Sequence, residues 1–505
     1  MKKIIFIIIL INFLITNVPA DTMPKTGGTI IYGFTGQIAA FDPIKSNDIE
    51  TIAVMSAIYE TLVRYKDDFT DIEPGLATSW NVSKDAKEWI FYLRKGVYFH
   101  DGTPFNADSV IFSFSRQTID KKGVTKIEAI DDYTLKFFLE EPYAPFLYGL
   151  SSTLAYIVSP TAVQKWGNEF GNHPVGTGAF KFKDWKQGDP VVLEKNTSYW
   201  DTPPYVEKVV YQPFTNNKDL LIALKTAAVH VMGSVDPQDI VTIERDENLK
   251  IAYKPGINIS YLAMNTEKKP FDNVKVRQAI NYAINKKKLV KFLFQGLAIP
   301  AVTPIPPLLW GNNKNIVDYD YNPQKAKELL KEAGYPNGFE TTLWQMPVPR
   351  PYNPQPEKIA EIFKASLADV GIKAEIISSY DWKTYLAKGK LGEHEMAFFG
   401  WVPDYPDPDQ FLYKLLDKDN AVKKIARNRA FYKNEQVHEL LIKARQILDI
   451  KERSRLYYEA QKIIHDDAPW VPIAHVQQFL AFRKNIHDII VDPRGTHKFY
   501  KAWIE

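Results

Sequence analysis

Residues 339–409 read FETTLWQMPVPRPYNPQPEKIAEIFKASLADVGIKAEIISSYDWKTYLAKGKLGEHEMAFFGWVPDYPDPD. Runs of β-branched and aromatic residues alternate here with apolar residues at helical spacing. The pattern predicts strands and helices in turn, at 339–346, 359–370, 374–378, 382–387 and 396–400. Such alternation is typical of an α/β fold, in which right-handed crossovers join the strands of a largely parallel sheet.

Helical periodicity continues on both sides of this stretch. One helix is predicted from Asp272, as its N-cap, to Gly296. A second is predicted from Asn322-Pro323, a strong helix start, to Gly334. A late helical stretch runs from about Glu435 to Asp466. The basic run Lys286–Lys288 is interpreted as the solvated face of a helix.

The stretch from Glu73 to Pro145 has a different pattern. Short strands are predicted at 89–93 and 135–139, and Asp101-Gly102 indicates a tight turn between strands. Residues 107–116 have helical spacing. This part of the chain is therefore predicted to be mostly strands and turns, with little helix.

The N-terminus has the layout of a secretory signal peptide. Lys2 and Lys3 precede an apolar run that ends in Val18-Pro19-Ala20, and cleavage is expected after Ala20. The run is shorter than the ~20 residues that span a bilayer, and no cysteine is present to carry a lipid anchor. The mature protein is therefore expected to be exported and unanchored.

Composition and charge exclude several classes of function. The chain of 505 residues has 63 basic and 60 acidic residues, so no overall positive field indicates a nucleic-acid partner. The absence of cysteine excludes disulfides, thiol nucleophiles and Cys-ligated metals. With 45% apolar and 24% charged residues, the composition is that of an ordinary globular protein.

No motif indicates catalysis, a cofactor or a metal. Nucleophile-elbow, zinc-protease and Walker motifs do not occur, and Gly176-Thr177-Gly178 lacks the third glycine of a dinucleotide loop. His465-Asp466-Asp467 is interpreted as an exposed helix end, because three adjacent side chains on a helix cannot face one ion. We therefore predict no catalytic residues, no metal ligands and no cofactor.

Two proline-rich loops of opposite charge follow two of the predicted strands. Pro347–Pro354 carries Arg350 and Tyr352, and Trp401–Asp409 carries Asp404. Ligands of open α/β sheets bind beyond the carboxyl ends of strands. A rigid Arg suits a carboxylate and a rigid Asp suits an ammonium, so the loops would match a zwitterion such as a short peptide. The alternative is that these are ordinary surface charges in polar turns.

Several ordered stretches carry a resemblance to a known family. They are Leu93–Gly102, Pro174–Phe180, Lys275–Ile280, Asp320–Gly334, Met346–Pro354, Gly400–Phe411 and His465–Pro469. From about Gly28 to the C-terminus the sequence resembles the family 5 extracellular solute-binding proteins of ABC importers.

The resemblance implies an α/β, two-lobed periplasmic-binding-protein fold, type II-like and hinge-closing, with an extra subdomain in the first lobe. After a signal peptide at 1–20, lobe I would take residues 27–256 plus 474–505, with the extra subdomain at roughly 45–170. Lobe II would take residues 257–473. Hinges are expected near Gly256–Asn258 and Val471–Ala474.

The resemblance also implies a binding site. Arg350 would bind a peptide carboxylate and Asp404 an α-ammonium. Tyr352 and the loop residues Trp401, Val402 and Pro403 would line the site, together with Asn47 on a first-lobe loop that diverges from the relatives. Pro403 replaces a glycine of the dipeptide-binding relatives, so any contact through a backbone N–H at this position is lost.

These observations predict a periplasmic receptor, monomeric and not an enzyme. It would capture di- or short oligopeptides and deliver them to the permease subunits of an ABC transporter in the inner membrane. One alternative is a receptor of the same fold for haem, glutathione or antimicrobial peptides. A secreted hydrolase is the alternative from another class.

Overall fold

The computed structural model describes residues 23–46, 48–69, 71–116 and 123–505. The predicted signal peptide, residues 1–20, and the predicted site residue Asn47 lie outside the described residues. Within the described part, no helix has both the length and the hydropathy that crossing a bilayer requires.

The strands of the described residues are as follows. In chain order they are β1 Thr29–Thr35, β2 Val63–Tyr65, β3 Ile72–Pro74, β4 Ala77–Val82, β5 Glu88–Leu93, β6 Val124–Asp131, β7 Thr134–Leu139, β8 Phe180–Asp184, β9 Val191–Lys195, β10 Lys208–Phe214, β11 Val231–Met232, β12 Leu249–Lys254, β13 Ile259–Met264, β14 Ala298–Pro300, β15 Glu340–Trp344, β16 Lys373–Ile377, β17 Met396–Trp401, β18 Trp470–Val476, β19 Gln478–Arg483, β20 Ile486–His487 and β21 Trp503–Ile504.

The α-helices of the described residues are α1 Ile49–Ile58, α2 Ala107–Ser115, α3 Phe146–Gly149, α4 Pro160–Trp166, α5 Asn217–Lys225, α6 Ile240–Glu244, α7 Val274–Ala283, α8 Lys286–Phe294, α9 Pro323–Glu332, α10 Pro356–Ala368, α11 Trp382–Leu391, α12 Tyr413–Leu416, α13 Glu435–Gln446 and α14 Ile450–Asp467. Short 3₁₀ helices lie at Thr153–Ala155, Gly167–Asn172, Pro237–Asp239, Pro408–Gln410 and Lys418–Asn420.

Three sheets organise the molecule. Sheet I has seven strands in the order β12-β19-β11-β1-β10-β9-β8, and sheet II has six in the order β14-β18-β13-β17-β15-β16. Sheet III, four antiparallel strands in the order β4-β5-β7-β6, contains the strands predicted at 89–93 and 135–139. The predicted α/β class is confirmed.

Sheet II lies between two helical layers. Every residue of its central strand β13 is buried. Leu262 and Met264 pack into a core cluster with α7, α8, α9 and α10. Tyr261 and Ala263, on the opposite face, pack into a second cluster with α13 and α14. Successive side chains of a strand point to opposite faces, so a strand that is apolar at every position except Ser260 fits burial on both sides.

The predicted helix and strand positions in residues 322–401 are confirmed. The side chain of Asn322 accepts a hydrogen bond from the Lys325 N–H at 2.9 Å, and Pro323 is the first residue of α9. Gly334 and Gly371, which follow α9 and α10, have φ values of +91° and +92°, which favour glycine.

The predicted largely parallel sheet is wrong, because sheet II is mixed. β15 pairs in parallel with β16 and β17, but β13 pairs antiparallel with both β17 and β18. Alternating strands and helices predict parallel pairing only among the strands that they connect. β13 and β18 come from outside that stretch of sequence.

Two predicted helices are each divided in two. The helix predicted from Asp272 is α7, capped by Asn273 instead, followed by α8, capped by Asn285. The late helical stretch is α13 and α14, and Asp449 caps the second. In each case a side chain that accepts a hydrogen bond from a backbone N–H starts a new helix.

The interpretation of Lys286–Lys288 as solvated is wrong for Lys286. Its side chain is only 2% exposed, and its Nζ lies 2.5 Å from Asp318 Oδ1 and 3.1 Å from the Ala301 carbonyl oxygen. Because the partner is 32 residues away in sequence, the local charge pattern cannot reveal this buried ion pair.

The chain passes twice between sheets I and II. The first crossing is residues 255–258, between β12 and β13, and the second is Gln477, between β18 and β19. Asn258, fully buried, joins them: its Nδ2 donates to the Val476 carbonyl at 2.7 Å, and its Oδ1 accepts from the Val476 N–H at 2.8 Å. The boundaries of the domains stay a prediction; residue 474 itself lies within β18.

Replacing Asn258 tests how much this junction contributes to stability. Asn258→Ala removes both bonds to Val476, and we expect the free energy of unfolding to fall by about 2–4 kcal/mol. The matched control is Asn353→Ala, because Asn353 is also fully buried but neither side-chain atom has a hydrogen-bond partner among the described residues. Chemical denaturation measures both variants. Equal losses would contradict the special role of Asn258.

Candidate functional site

A cavity of about 1000 Å³ is bounded by residues from both large sheets. Sheet I contributes Tyr32 and Tyr211, and the loops of sheet II contribute most of the residues predicted from the sequence. Those that line the cavity are Arg350, Tyr352, Trp401, Val402, Pro403 and Asp404. The structure thus brings together all the predicted site residues that it describes, and their contact with a ligand stays a prediction.

The register of sheet II explains why the two proline-rich loops meet. β15 and β17 are parallel neighbours, with Leu343 opposite Met396, so both loops leave the same edge of the sheet. The ring of Tyr352 lies against Gly400: a Cβ added at Gly400 would be 2.1 Å from Tyr352 Cδ2. Glycine at the end of β17 therefore allows the first loop to pack on the second.

Arg350 lines the cavity, and its guanidinium has no ion-pair partner among the described residues. Its guanidinium carbon lies 4.2 Å from the centre of the Trp382 ring. The Arg350 and Asn353 backbones exchange hydrogen bonds of 2.9 and 2.8 Å, which close the loop. Arg350 Nε is buried without a hydrogen-bond partner among the described residues. A rigid, unpaired guanidinium of this kind suits a planar anion.

Asp404 has a partner that sequence reasoning missed. Lys414 Nζ lies 2.5 Å from Asp404 Oδ2 and 4.4 Å from the centre of the Trp401 ring. The side chain of Asp404 is 39% exposed. An ammonium that binds Asp404 therefore has to share this carboxylate with Lys414 or displace Lys414 from it.

Asp407 and Asp409 are buried anchors of the second loop. Asp407 caps the short 3₁₀ helix Pro408–Gln410, because its Oδ1 accepts a hydrogen bond from the Asp409 N–H at 2.9 Å. Both also form ion pairs: Asp407 with Arg453 at 2.9 Å and Asp409 with Arg445 at 3.0 Å. Burial lowers the pKa of Arg453, but the charge of Asp407, together with Tyr457 and the hydrogen bonds to both, outweighs burial and raises that pKa above its ordinary value. Asp407 and Asp409 therefore also attach the loop to the rest of the protein through ion pairs, in addition to any capping role.

Three further cations of the same part of the chain line the cavity. Arg429, only 6% exposed, comes from an irregular segment before α13, together with Arg427, and Lys390 lies on α11. Burial, with a contribution from Arg427, lowers the pKa of Arg429 to about 10. Burial and the two arginines also lower the pKa of Lys390. No periodic pattern could indicate Arg429, because its segment has no regular structure.

Glu50 is a carboxylate of the cavity wall formed by α1. It lies in the first turn of α1, which is capped by Asp48. Burial, with a contribution from the charge of Asp48, raises the pKa of Glu50 to about 7. Among the described residues, Glu50 has no hydrogen-bond or ion-pair partner. The sequence gives no sign of this acid, which lies far along the chain from the predicted loops.

A cluster of three side chains of the kinds that bind metals lies outside the lining of the cavity. Ligand atoms of Asp417, Asp419 and His438 are within 4.8 Å of one another, although the sequence shows no close pair with metal-ligand spacing. His438 Nδ1 lies 3.0 Å from Asp417 Oδ2, and Asp419 Oδ2 accepts a bond from the Tyr413 hydroxyl. The protein itself thus supplies partners for this cluster, and we assign no ion to it.

Comparison with known proteins places these features in a family. Residues 71–423 match the bacterial extracellular solute-binding proteins, family 5, in their middle region. The dipeptide-binding protein of Escherichia coli (strain K12) is 36% identical over 509 residues, covering 94% of this chain and 95% of that protein. Heme-binding protein A of Haemophilus influenzae is 36% identical over 479 residues, covering 89% and 87%.

A solved structure extends the likeness to three dimensions. The periplasmic binding protein DppA of Helicobacter pylori, in complex with the peptide STSA, is 38% identical to this chain. It superposes with a TM-score of 0.83 and covers 95% of this chain and 99% of that one. Because the family match spans residues 71–423 and these relatives align with most of the chain, the chain belongs to the bacterial extracellular solute-binding proteins of family 5 and has their two-lobed, type II periplasmic-binding-protein fold.

Proposed function

We propose that this protein is a periplasmic receptor that captures di- or short oligopeptides between its lobes and delivers them to an ABC-transporter permease. The observation that carries the proposal is the unpaired guanidinium of Arg350, held over Trp382 inside the cavity. Peptides are bound in the solved DppA relative, which supports the same ligand class here. In this role the protein acts as a monomer and catalyses no reaction.

The peptide lies with its carboxylate at Arg350 and its ammonium at Asp404. Arg350 and Asp404 lie on loops that leave the same edge of sheet II and line the same cavity, so one short ligand can reach both. Tyr352, Trp401, Val402 and Pro403 line the path between them. A cavity of about 1000 Å³ lies at the upper end of the size range of small-molecule sites, so peptides longer than two residues also fit the proposal.

We propose a division of the chain into two lobes, based on where it crosses between sheets I and II. Lobe I takes residues 27–256 and 474–505 with the subdomain at roughly 45–170, and lobe II takes residues 257–473. Removal of residues 1–20 on export leaves the protein in the periplasm. The two crossings between sheets I and II support this division, because they are the places where the lobes can turn relative to each other.

Haem is the second candidate ligand. Heme-binding protein A of H. influenzae is as identical to this chain as the dipeptide-binding protein of E. coli, at 36%. Titration with haem, followed by its absorbance, distinguishes the two. Haem binding that dipeptide displaces would show that the cavity also accepts haem, whereas haem binding that persists in saturating dipeptide would place haem outside the peptide site.

Removing the peptide carboxylate tests the role of Arg350. A C-amidated dipeptide loses a charge-assisted hydrogen bond worth about 1.5–3 kcal/mol, so its affinity for the parent protein should be ~10- to 150-fold weaker. In Arg350→Gln, the free-acid and amidated peptides should bind alike. Arg455→Gln, an exposed residue of α14, is the control and should bind as the parent does. Calorimetry measures all pairs, and a retained preference for the free acid in Arg350→Gln would refute the assignment.

Asp404 and Lys414 should have opposite effects on affinity. Asp404→Asn removes the ammonium's partner and should weaken binding of a free dipeptide by ~10- to 150-fold. Lys414→Gln removes the competing cation and should strengthen binding. N-acetylated peptide should be insensitive to both changes.

The control for this pair is Asp407→Asn, the same substitution three residues along the loop. It breaks a buried ion pair and should lower the free energy of unfolding by about 3–5 kcal/mol while leaving affinity nearly intact. If Asp404→Asn binds free dipeptide as the parent does, the ligand ammonium is held elsewhere.

Glu50 should make stability depend on pH. Its carboxyl group binds a proton more tightly in the folded protein, where its pKa is about 7, than in the unfolded chain. Stability is therefore lost as pH rises from about 4.5 through 7. Glu50→Gln should raise the free energy of unfolding by about 1–3 kcal/mol above pH 7 and change it little near pH 4.5. A difference that does not vary with pH would contradict this assignment.

A further inference from the structure

Lobe II presents more positive charge to the cavity than one peptide carboxylate needs. Four cations of this lobe line the cavity: Arg350, Lys390, Arg427 and Arg429. Among the described residues, none of the four forms an ion pair with an acid. The acids that line the cavity are Asp48, Glu50, Glu60, Asp236 and Asp404.

A continuous row of rings links Arg350 to Arg429. The guanidinium of Arg350 lies over Trp382, whose ring centre is 6.0 Å from that of Tyr385. The Tyr385 ring is 5.4 Å from Phe399, and the guanidinium carbon of Arg429 lies 5.3 Å from the centre of Phe399. The two arginines thus lie at opposite ends of one row of rings, of which Trp382 and Phe399 line the cavity while Tyr385 is fully buried. A ligand that contacts both lining rings could therefore reach both arginines.

Arg429 is the most constrained of the four cations. The residue is only 6% exposed, and its Nη1 atom is buried without a hydrogen-bond partner among the described residues. Nη1 lies against the backbone of α11, 3.8 Å from the position of a Cβ added at Gly389. A buried donor without a partner costs stability, and a buried charge without a counterion costs more.

The neighbours of Arg429 increase this cost. The charged groups that act on Arg429 from adjacent elements are Arg427 and, if ionised, Tyr261 and Tyr385; no carboxylate is among them. Lys390, on α11, is in turn affected by both arginines. Three cations that repel one another and share no acid form a site that an added anion would stabilise.

We propose that Arg429, with Lys390 and Arg427, forms a second anion subsite, which accepts a further carboxylate of the ligand beyond the one bound at Arg350. The preferred ligands are then peptides with an acidic side chain. This inference rests on the proposed function, because it assumes that a peptide occupies the cavity. The aspartate or glutamate side chain would contact Arg429, which is desolvated and positioned before the ligand arrives.

A comparison of isosteric peptides tests the subsite. Affinities for Ala-Glu and Ala-Gln, and for Glu-Ala and Gln-Ala, are measured by calorimetry with the parent, Arg429→Gln and Lys390→Gln. For the parent, the acidic member of at least one pair should bind ~10- to 100-fold tighter than its amide. In both variants that ratio should fall to about 3-fold or less, while the affinity for the amide peptides changes little.

Two features keep the test decisive. Lys390→Gln, at a partly exposed position, reports on the subsite even if Arg429→Gln does not fold. Lys388→Gln is the matched control, since Lys388 lies on the same helix, pairs with Glu393 and does not line the cavity, so the preference should persist in it.

The outcomes separate this inference from the function on which it rests. If acidic and amide peptides bind the parent equally, the subsite is refuted and the peptide receptor stands. A preference that persists undiminished in Arg429→Gln and Lys390→Gln places the acidic group elsewhere and also refutes the subsite. If no peptide binds the parent, the proposed function fails, and the subsite fails with it.

Discussion

The parallel pairing of β15 with β17 determines where the chemistry of this protein lies. With Leu343 opposite Met396, the loops that follow the two strands emerge at one edge of sheet II, and both face the cavity. A shift of one residue in this register would turn the side chains of β17 to the opposite faces of the sheet. The contact of Tyr352 with Gly400 then joins the loops to each other. The position of the site is therefore set by the backbone pairing of β15 with β17, and its side chains depend on that pairing to reach the cavity.

The buried charges around the loop Trp401–Asp409 fall into two groups, one paired within the protein and the other not. Behind the loop, Asp407 and Asp409 are neutralised by Arg453 and Arg445, which hold the loop against α13 and α14. Arg350 and Arg429 line the cavity, and each has one buried donor without a partner among the described residues. Buried charges are costly unless they are paired, so the pairing behind the loop stabilises the fold and the unpaired cations in front are available to a ligand.

The sequence predicts what depends on short-range patterns. Helix starts such as Asn322-Pro323 and the ends at Gly334 and Gly371 are confirmed, because capping and left-handed backbone are local properties. The loops carrying Arg350 and Asp404 could also be predicted, since a strand ends just before each. The antiparallel insertion of β13 and the pairing of Lys286 with Asp318 could not be predicted, because they join segments distant in sequence. Arg429 and Glu50 escape prediction for the same reason.

The desolvated cations also bear on how the cavity discriminates among ligands. In water, a guanidinium must lose its hydration before it binds an anion, and this cost offsets much of the attraction. Arg350 Nε and Arg429 Nη1 are already shielded from water in the folded protein. The free-energy cost of removing their hydration therefore arises on folding and not on binding. An anionic ligand therefore gains more from these groups than from solvated cations, whereas a neutral ligand leaves them uncompensated. Specificity for charged ligands thus arises from groups that destabilise the unliganded fold.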